Sequence, residues 1–292
     1  MKTPLVPPRR LLDHILRCNT RDDTRFRPFL IAGHKAGTVR DDVVTMLAEW
    51  RDVFEIDAQA VRLAPRFATV EERTAVLRDV TKGLVERKLI AKLRSENYRI
   101  VENWGDEPLA LLDRSAVAVF GIKAFGIHIN GYTRRGDQML LWIGRRALDK
   151  AVEPGKLDNM VAGGQPAGLS LIDNLIKEAE EEASIARDVA LRTTQAGAIT
   201  YCMEDERGLK PDTMFVYDLE LPNGFTPRPN DDEITEFMLM TPDEVIERMR
   251  TSYDFKFNVN LVLIDFLIRT GFIRPENEPD YLALVAGLHP SI

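Results

Sequence analysis

Hydrophobic positions before residue 110 alternate between helical and extended spacing. Apolar residues three and four apart predict helices at residues 11–16, 43–50 and 69–89, the last with a capping box formed by Thr69 and Glu72. Apolar runs predict strands at residues 26–32, 53–63 and 98–102. The pattern turns polar at residues 103–108, which predicts a junction between an N-terminal domain, residues 1–112, and a second domain, residues 113–292.

Strand-like patterns surround one amphipathic helix in the second domain. Extended structure is predicted at residues 116–132, in a run broken by Gly121 and Gly126, and strands at residues 139–145, 195–203, 214–221 and 236–240. Helices are predicted at residues 242–250 and 258–270. The central helix has an apolar stripe that predicts its core-facing side, formed by Leu171, Ile172, Leu175, Ala179 and Ala183. We therefore expect the acidic residues of this helix on its outer faces.

Those acidic residues are concentrated, with four carboxylates in five consecutive positions. Glu178, Glu181 and Glu182 lie at i, i+3 and i+4, so they project from one helix face, and each like-charge pair costs roughly 0.2–0.5 kcal/mol of helix stability. A bound Mg²⁺ or Mn²⁺ would turn this repulsion into attraction. A solvated surface helix is the alternative interpretation. Upstream, Gly163 and Gly164 let the backbone approach a ligand closely.

The glycine stretch and acidic helix together resemble the Nudix box: a glycine, five residues, a glutamate, seven residues, then Arg-Glu-apolar-x-Glu-Glu-x-Gly-apolar. In that register the matching residues are Gly163, Gly168, Lys177, Glu178, Ala179, Glu181, Glu182 and Ile185. The resemblance implies that Glu178, Glu181 and Glu182 are the catalytic, metal-binding residues. It also implies an α/β fold, the Nudix αβα sandwich with a mixed sheet, here preceded by a smaller mixed α/β N-terminal domain.

Three positions depart from the box. Leu169 stands where the first glutamate belongs, which removes one carboxylate. Lys177 replaces the arginine, keeping the charge but losing the planar fork of donors. Ser184 replaces the glycine that readily ends a helix in the left-handed conformation. None of these changes removes the three inner carboxylates.

Ordered matches along nearly the whole chain narrow the resemblance to Nudix proteins with an extra N-terminal domain, the thiamine-pyrophosphokinase-related subgroup. The matching segments are residues 112–115, 120–132, 141–146, 154–158, 215–222, 232–237, 255–258 and 264–271. The subgroup implies cleavage of a diphosphate linkage in a small organic diphosphate, thiamine diphosphate or its oxidised analogues, by attack of water at phosphorus. Its members resemble this chain in the altered box as well.

The composition limits the classes of binding partner and the cellular compartment that we expect. A net charge of −7 argues against a nucleic-acid polymer as partner, because binding to phosphates along a polymer favours a basic surface. Cys18 and Cys202 are too few for a disulfide framework, which predicts a reducing compartment. The sequence has no apolar run of signal or membrane-spanning length, so we expect a cytoplasmic protein that does not contact a membrane.

Side chains outside the box are candidates for substrate binding. His128, Asn130 and Tyr132 alternate along one predicted strand and would form, with Phe125, a wall for a ring. A strand whose polar groups are only structural is the alternative. Three basic residues could bind phosphate oxygens, with surface charge as the alternative: Arg145, Arg146 and Lys150.

Hydrolysis needs a carboxylate that accepts a proton from water, and the candidates are Glu182, Glu233 and Glu236. The competing hypothesis is a non-catalytic Nudix module that binds a nucleotide or cofactor diphosphate as a sensor. The N-terminal domain has no acid, cysteine or histidine cluster of catalytic spacing, so we expect it to shape specificity. A stabilising appendage or the surface of a homodimer is the alternative role.

Overall fold

A computed structural model describes residues 7–292. The elements up to residue 120 are α1 (Leu12–Cys18), β1 (Phe26–Ile31), β2 (His34–Arg40), α2 (Asp41–Leu47), β3 (Phe54–Ile56), β4 (Val61–Leu63), α3 (Val70–Glu86), β5 (Asn97–Ile100), β6 (Ala110–Asp113) and α4 (Val117–Phe120). Four strands form a sheet in the order β2-β1-β4-β3, and β5 pairs separately with β6. At the start of α3, Thr69 and Glu72 exchange hydrogen bonds, which confirms the capping box.

The remaining elements are β7 (Ala124–Arg135), β8 (Gln138–Arg146), β9 (Leu157–Asp158), β10 (Val161–Gly164), α5 (Leu171–Ala183), α6 (Arg187–Ala190), β11 (Thr194–Asp205), β12 (Gly208–Glu220), β13 (Ile234–Met240), α7 (Pro242–Thr251), α8 (Val259–Arg269) and α9 (Tyr281–Gly287). They contain a mixed sheet whose main path is β11-β12-β7-β8-β13. β12 runs parallel to β7, while β10 pairs antiparallel with the first half of β7. β9 pairs with the end of β8.

Helices cover both faces of this mixed sheet. One face packs with α1, α8 and α9 in a core that includes Tyr201 and Phe266. On the other face, Ile127 and Ile129 of β7 pack in a core with Leu175 of α5. Side chains at alternate positions of β7 point to opposite faces of the sheet, as the pleat of a strand requires. The protein is an αβα sandwich preceded by a smaller mixed α/β unit, which confirms the predicted fold class.

Hydrophobic contacts cross the predicted domain boundary in both directions. Leu11, Ile15 and Cys18 pack into the core under α8 and α9. Phe120 and Ala124, by contrast, belong to the core of the first sheet. The division after residue 112 stays a prediction. Below, the N-terminal unit means β1 to β6 with α2 to α4, and the second unit means β7 to α9.

Two predictions of extended structure were wrong because local turns interrupt the apolar runs. Residues 53–63 form two antiparallel strands, β3 and β4, and Asp57 Oδ1 accepts the N–H groups of Gln59 and Ala60 between them. Residues 116–132 begin with helix α4, which ends at Gly121 in the left-handed conformation, φ +55°. Only the part from residue 124 is strand.

The buried stripe of α5 also differs from the prediction. Ile172 is 42% exposed, whereas Ile176 and Glu182 are buried. A pattern built on apolar residues alone could not place a carboxylate inside, because burying a charge is normally unfavourable. The expectation that all the acidic residues lie on outer faces was therefore wrong for Glu182, which is only 4% exposed.

Candidate active site

The loop between β10 and α5 is held at both ends. Gln165 donates from its backbone to Phe125 O and from its side chain to Leu169 O, both at 2.8 Å. At the other end Asn174 Nδ2, in the first turn of α5, donates to Gly164 O at 2.9 Å. Gly168 between them has φ +89°, a conformation that glycine adopts without strain. These bonds fix the direction in which the acidic helix leaves the sheet.

Glu178 lies directly against Gly163. A Cβ atom on Gly163 would fall 2.3 Å from Glu178 Cδ, so the glycine makes room for this carboxylate. Lys177 Nζ is 3.2 Å from Glu178 Oε1 and 2.7 Å from Glu181 Oε2. Burial raises the pKa of Glu178, and the neighbouring lysine opposes this. The Glu181 side chain is half exposed and turned to Lys177.

Glu182 is enclosed between α5 and β10. Its Oε2 accepts the N–H of Ala162 at 2.8 Å, and no lysine or arginine of the described chain pairs with it. Burial raises the pKa of this carboxyl well above its usual range, although the Ala162 hydrogen bond lowers it. A cation bound beside this carboxylate would favour its charged form.

The carboxylates suit a divalent cation in chemical type. Glu178 and Glu182 approach adjacent residues of β10, and carboxylate oxygens are the ligands that Mg²⁺ and Mn²⁺ prefer. In residues 7–292, however, no three acidic, histidine or cysteine side chains converge as a ready metal site. The three-glutamate site implied by the box stays a prediction, in which Glu178 and Glu182 are better placed than the exposed Glu181.

A cavity of about 310 Å³, the interdomain cavity, borders β10. It is lined by Ala162, Gly163 and Gly164, whereas the three box glutamates do not line it. Cationic side chains surround it. The N-terminal unit contributes Arg94 and Arg114, and the second unit contributes Arg146, Lys150, Arg207, Lys210 and Lys256. Asp212 and Glu233 are the lining carboxylates of the described chain. This excess of positive charge suits a polyanionic ligand.

The N-terminal unit closes this cavity by packing onto Gly164, the residue after the opening glycine of the box. A Cβ atom on Gly164 would fall 1.7 Å from the Tyr98 hydroxyl and 3.6 Å from Arg114 Cζ. Nearby, the Ala167 N–H donates to Asn97 O at 2.7 Å, which ties the box loop to β5. Gly164 is required here because a tyrosine of the other unit occupies its side-chain position.

The predicted wall on β7 is only partly at the cavity. His128 lines it, and its Nδ1 lies 2.9 Å from Asn159 Oδ1. Burial lowers the pKa of His128 to about 4. Asn130 accepts a hydrogen bond from Asn159 Nδ2 at 2.9 Å, and Tyr132 packs on Phe266 with ring centroids 5.7 Å apart. Neither Asn130 nor Tyr132 is among the cavity-lining residues of the described chain.

Phe125 lies at the cavity edge, but its ring has protein partners. Its centroid is 4.7 Å from that of Trp104, in the N-terminal unit, and 6.3 Å from that of Phe215 on β12. These rings join the two units. The aromatic contact with a ligand that the sequence predicts for Phe125 therefore competes with an interface that is already formed.

Basic residues after β8 separate into two groups. Arg146 and Lys150 line the cavity. Arg146 Nη1 donates to Asp158 Oδ2 at 2.7 Å, and its buried Nε has no hydrogen-bond partner in the part of the chain that the structure describes. Arg145 instead pairs with Glu236 at 2.5 Å on the exposed side of β13. Arg146 and Lys150 are thus the pair placed for a ligand.

Of the two candidate bases outside the box, one lies at the cavity and the other on the surface. Glu233 lines the cavity and lies 2.7 Å from Lys150 Nζ. Burial alone would raise the pKa of Glu233, but the hydrogen bond and charge of Lys150 lower it. Glu236 is exposed and held by Arg145. Glu233 is therefore the carboxylate outside the box that faces the cavity in its ionised form.

Sequence reasoning did not select several cavity residues: Tyr98, Arg114, Lys210 and Asp212. Tyr98 and Arg114 belong to segments far from the box, and no local pattern links them to it. For Lys210 and Asp212 the sequence does give a weak indication of a role. They precede Met214 and Val216 at alternate positions of one strand, so two charged residues share a face with two buried apolar residues. Two charged residues on an otherwise buried face indicate a cavity or a polar contact.

The protein is an αβα sandwich with a mixed sheet between helical layers. A glycine-containing strand leads into its acidic helix, and a cationic cavity lies beside that strand. Two chloroplastic proteins of Arabidopsis thaliana match most of the chain. Nudix hydrolase 20 is 39% identical over 276 residues, which cover 91% of this chain and 74% of the relative. Nudix hydrolase 24 is 38% identical over 277 residues, which cover 94% and 76%. The chain belongs to the Nudix hydrolase family, as the box predicted.

Other comparisons concern parts of the chain. Residues 10–124 match a domain of unknown function, DUF4743. A crystal structure of DR0079 from Deinococcus radiodurans is 22% identical and covers 57% of this chain and 97% of its own, with a TM-score of 0.46. Across residues 7–292, no helix combines the length and the apolar character needed to cross a membrane.

Proposed function

We propose that this Nudix hydrolase uses a divalent metal to cleave a diphosphate linkage in a small organic diphosphate, with thiamine diphosphate or its oxidised analogues as candidate substrates. The observation that carries the proposal is the cationic cavity against Gly163 and Gly164. A diphosphate placed there would contact arginine and lysine side chains from both units. It would also lie next to the strand on which Glu178 and Glu182 rest.

Each group has a distinct task in this proposal. Arg114, Arg146 and Lys150 bind phosphate oxygens, because guanidinium and ammonium groups form charge-assisted hydrogen bonds with them. Glu178 and Glu182 would hold Mg²⁺ or Mn²⁺, which when bound neutralises charge on the diphosphate and makes water easier to deprotonate. The cytoplasmic location and the absence of nucleic-acid partners remain predictions.

Glu233 is the proposed proton acceptor for the attacking water. It faces the cavity, and Lys150 favours its ionised form, which can take up a proton. Its negative charge is also a minor cause, after burial, of the raised pKa of Glu178 and Glu182. Glu236 lies outside this group.

The test is phosphate release from a panel of diphosphates with Mg²⁺ or Mn²⁺. Glu182→Gln keeps the size of the side chain and the acceptor for Ala162 N–H but removes the charge. We expect kcat to fall more than about 100-fold, beyond the usual effect of a residue outside the metal's ligands, with little change in melting temperature. Glu181→Gln should lower kcat less, because its exposed carboxylate is turned to Lys177.

Glu180→Gln is the matched control, because Glu180 is exposed on the same helix, and its activity should equal that of wild type. If Glu182→Gln hydrolyses the substrate as fast as wild type, Glu182 is not part of the active site. Tight diphosphate binding by the wild type with no release under either metal would instead favour the non-catalytic sensor.

A further inference from the structure

One end of the interdomain cavity contains polar groups that the proposed hydrolysis does not use. Lys210, Asp212 and Met214 alternate along β12, so they share one face of the strand. Tyr201 lies opposite Asp212 in the ladder between β11 and β12 and donates its hydroxyl to Asp212 Oδ2 at 2.5 Å. All four residues line the cavity.

Phe257 and Asn258 complete this end. The Phe257 ring meets the Tyr201 ring edge-on at 5.8 Å, and Lys210 Nζ lies 4.6 Å from the Phe257 centroid. Asn258 is 7% exposed, and its Nδ2 contacts Met214 Sδ, a weak acceptor, at 3.4 Å. Its buried Oδ1 accepts no hydrogen bond from residues 7–292. An unpaired buried amide oxygen beside a cavity is a position for a ligand donor.

Lys210 is the second polar side chain at this end of the cavity whose partners within residues 7–292 are incomplete. Its ammonium group makes no ion pair or hydrogen bond with the described part of the chain, and its contact is the face of Phe257. Burial lowers the pKa of this lysine, although Asp212 opposes the shift. Placing an ammonium group in such surroundings does not favour folding. Its presence at a cavity wall is better explained by contact with a ligand.

We propose that Lys210, Asp212 and Asn258 form a head-group subsite for a planar nitrogen heterocycle that carries an amino group. This inference rests on the proposed function, in which the heterocycle is the organic part of the diphosphate. Asp212 and Asn258 Oδ1 accept from the amino group, and Lys210 donates to a ring nitrogen. Met214 and Phe257 supply the apolar contact.

The balance of charge separates this subsite from the phosphate end. Lys210 and Asp212 carry opposite charges, and the nearby cations Arg207 and Lys256 are paired with Asp205 and Asp158. This end therefore suits a neutral polar ring. Arg114, Arg146 and Lys150 at the other end suit an anion. Both an aminopyrimidine, as in thiamine diphosphate, and the adenine of a nucleotide have the required donor and acceptor groups.

Strand register gives the separation of the two ends. Met214, Gly126 and Gly164 lie in one row across β12, β7 and β10. With neighbouring strands about 4.8 Å apart, Gly164 and Met214 are separated by roughly 10 Å. That span accommodates a diphosphate joined to a ring through a short linker. Gly126, between them, presents no side chain that would divide the cavity.

The experiment measures binding without turnover, by calorimetry in EDTA with thiamine diphosphate, ADP and inorganic pyrophosphate. We expect wild type to bind one of the ring-bearing ligands at least about tenfold more tightly than pyrophosphate, and its identity distinguishes aminopyrimidine from adenine. Lys210→Met and Asn258→Ala should reduce this preference below about threefold and leave pyrophosphate affinity unchanged. Lys210→Met should melt no lower than wild type, because Lys210 has no polar partner to lose.

Lys123→Met is the matched control, since Lys123 donates to Glu102 O and is not among the cavity-lining residues of the described chain. It should keep the full preference for the ring-bearing ligand. Equal affinity of wild type for all three ligands, no binding of any of them, or a preference that survives both variants would overturn the subsite. Preferential binding without phosphate release in the metal assay would overturn the hydrolase proposal alone and leave the subsite standing.

Discussion

At the residue scale, the neighbours of His128 determine where its ring carries a proton and whether it is charged. Asn159 uses its Nδ2 to donate to Asn130 Oδ1, which leaves its Oδ1 as the acceptor that faces His128 Nδ1. The hydrogen-bond network therefore assigns the proton to Nδ1 of a neutral imidazole. Burial favours the same neutral form and lowers the pKa of His128 to about 4.

Stability should consequently depend on pH through this residue. An unfolded histidine titrates near pH 6.5, so the unfolded state takes up a proton first as the pH falls. The stabilisation by neutral His128 is complete above about pH 6.5 and is lost as the pH falls towards 4, by about 2 kcal/mol at pH 5. Urea unfolding at pH 7 and pH 5 should show a larger loss for wild type than for His128→Gln. If wild type and His128→Gln lose the same unfolding free energy between pH 7 and pH 5, groups other than His128 take up the proton.

At the scale of elements, the acidic helix α5 ends without the glycine of its box. Ser184 itself adopts the left-handed conformation, φ +54°, and its N–H bonds to Ala179 O and Glu180 O. The Ser184 hydroxyl donates to Arg228 O at 2.9 Å. Serine therefore replaces the glycine of the box at position 184 without changing the geometry of the helix end.

Substitutions at Ser184 should separate strain from hydrogen bonding. Ser184→Ala keeps a side chain in the left-handed region and loses the bond to Arg228 O, so we expect it to lose about 1 kcal/mol of unfolding free energy. Ser184→Gly loses the same bond but relieves backbone strain, and should be more stable than Ser184→Ala by about 1 kcal/mol. Chemical denaturation measures both. If the two variants are equally stable, the left-handed conformation does not limit stability here.

At the scale of the whole molecule, several contacts dock the N-terminal unit on the second unit. Tyr98 occupies the side-chain position of Gly164, and Trp104 packs on Phe125. At a third point, Arg40 donates to the backbone oxygen of Asp205 at 3.0 Å, in the hairpin between β11 and β12. The interdomain cavity lies between these contacts. They support the proposal that the N-terminal unit shapes specificity by forming part of the binding wall.

The Tyr98 contact with Gly164 can be tested by a double-mutant cycle. Gly164→Ala places a methyl group where the rigid Tyr98 hydroxyl lies, and overpacking of this kind costs about 1–3 kcal/mol of unfolding free energy. Tyr98→Phe removes the hydroxyl, so the double variant should recover at least about 1 kcal/mol relative to Gly164→Ala. Gly105→Ala is the control, because nothing lies within 4 Å of its added Cβ. Additive effects in the cycle would show that the two residues are not in contact.

Local patterns in the sequence were sufficient for the Nudix box, the capping box of α3 and most strands of the mixed sheet. Such patterns depend on residues within a few positions of one another, where backbone preference and apolar spacing act. The burial of Glu182, the position of Tyr98 on Gly164, and the grouping of Lys210 and Asp212 with Asn258 were decided only by tertiary structure. Each of these contacts joins segments far apart in the chain, and packing of the complete sheet and helices determines which side chains meet.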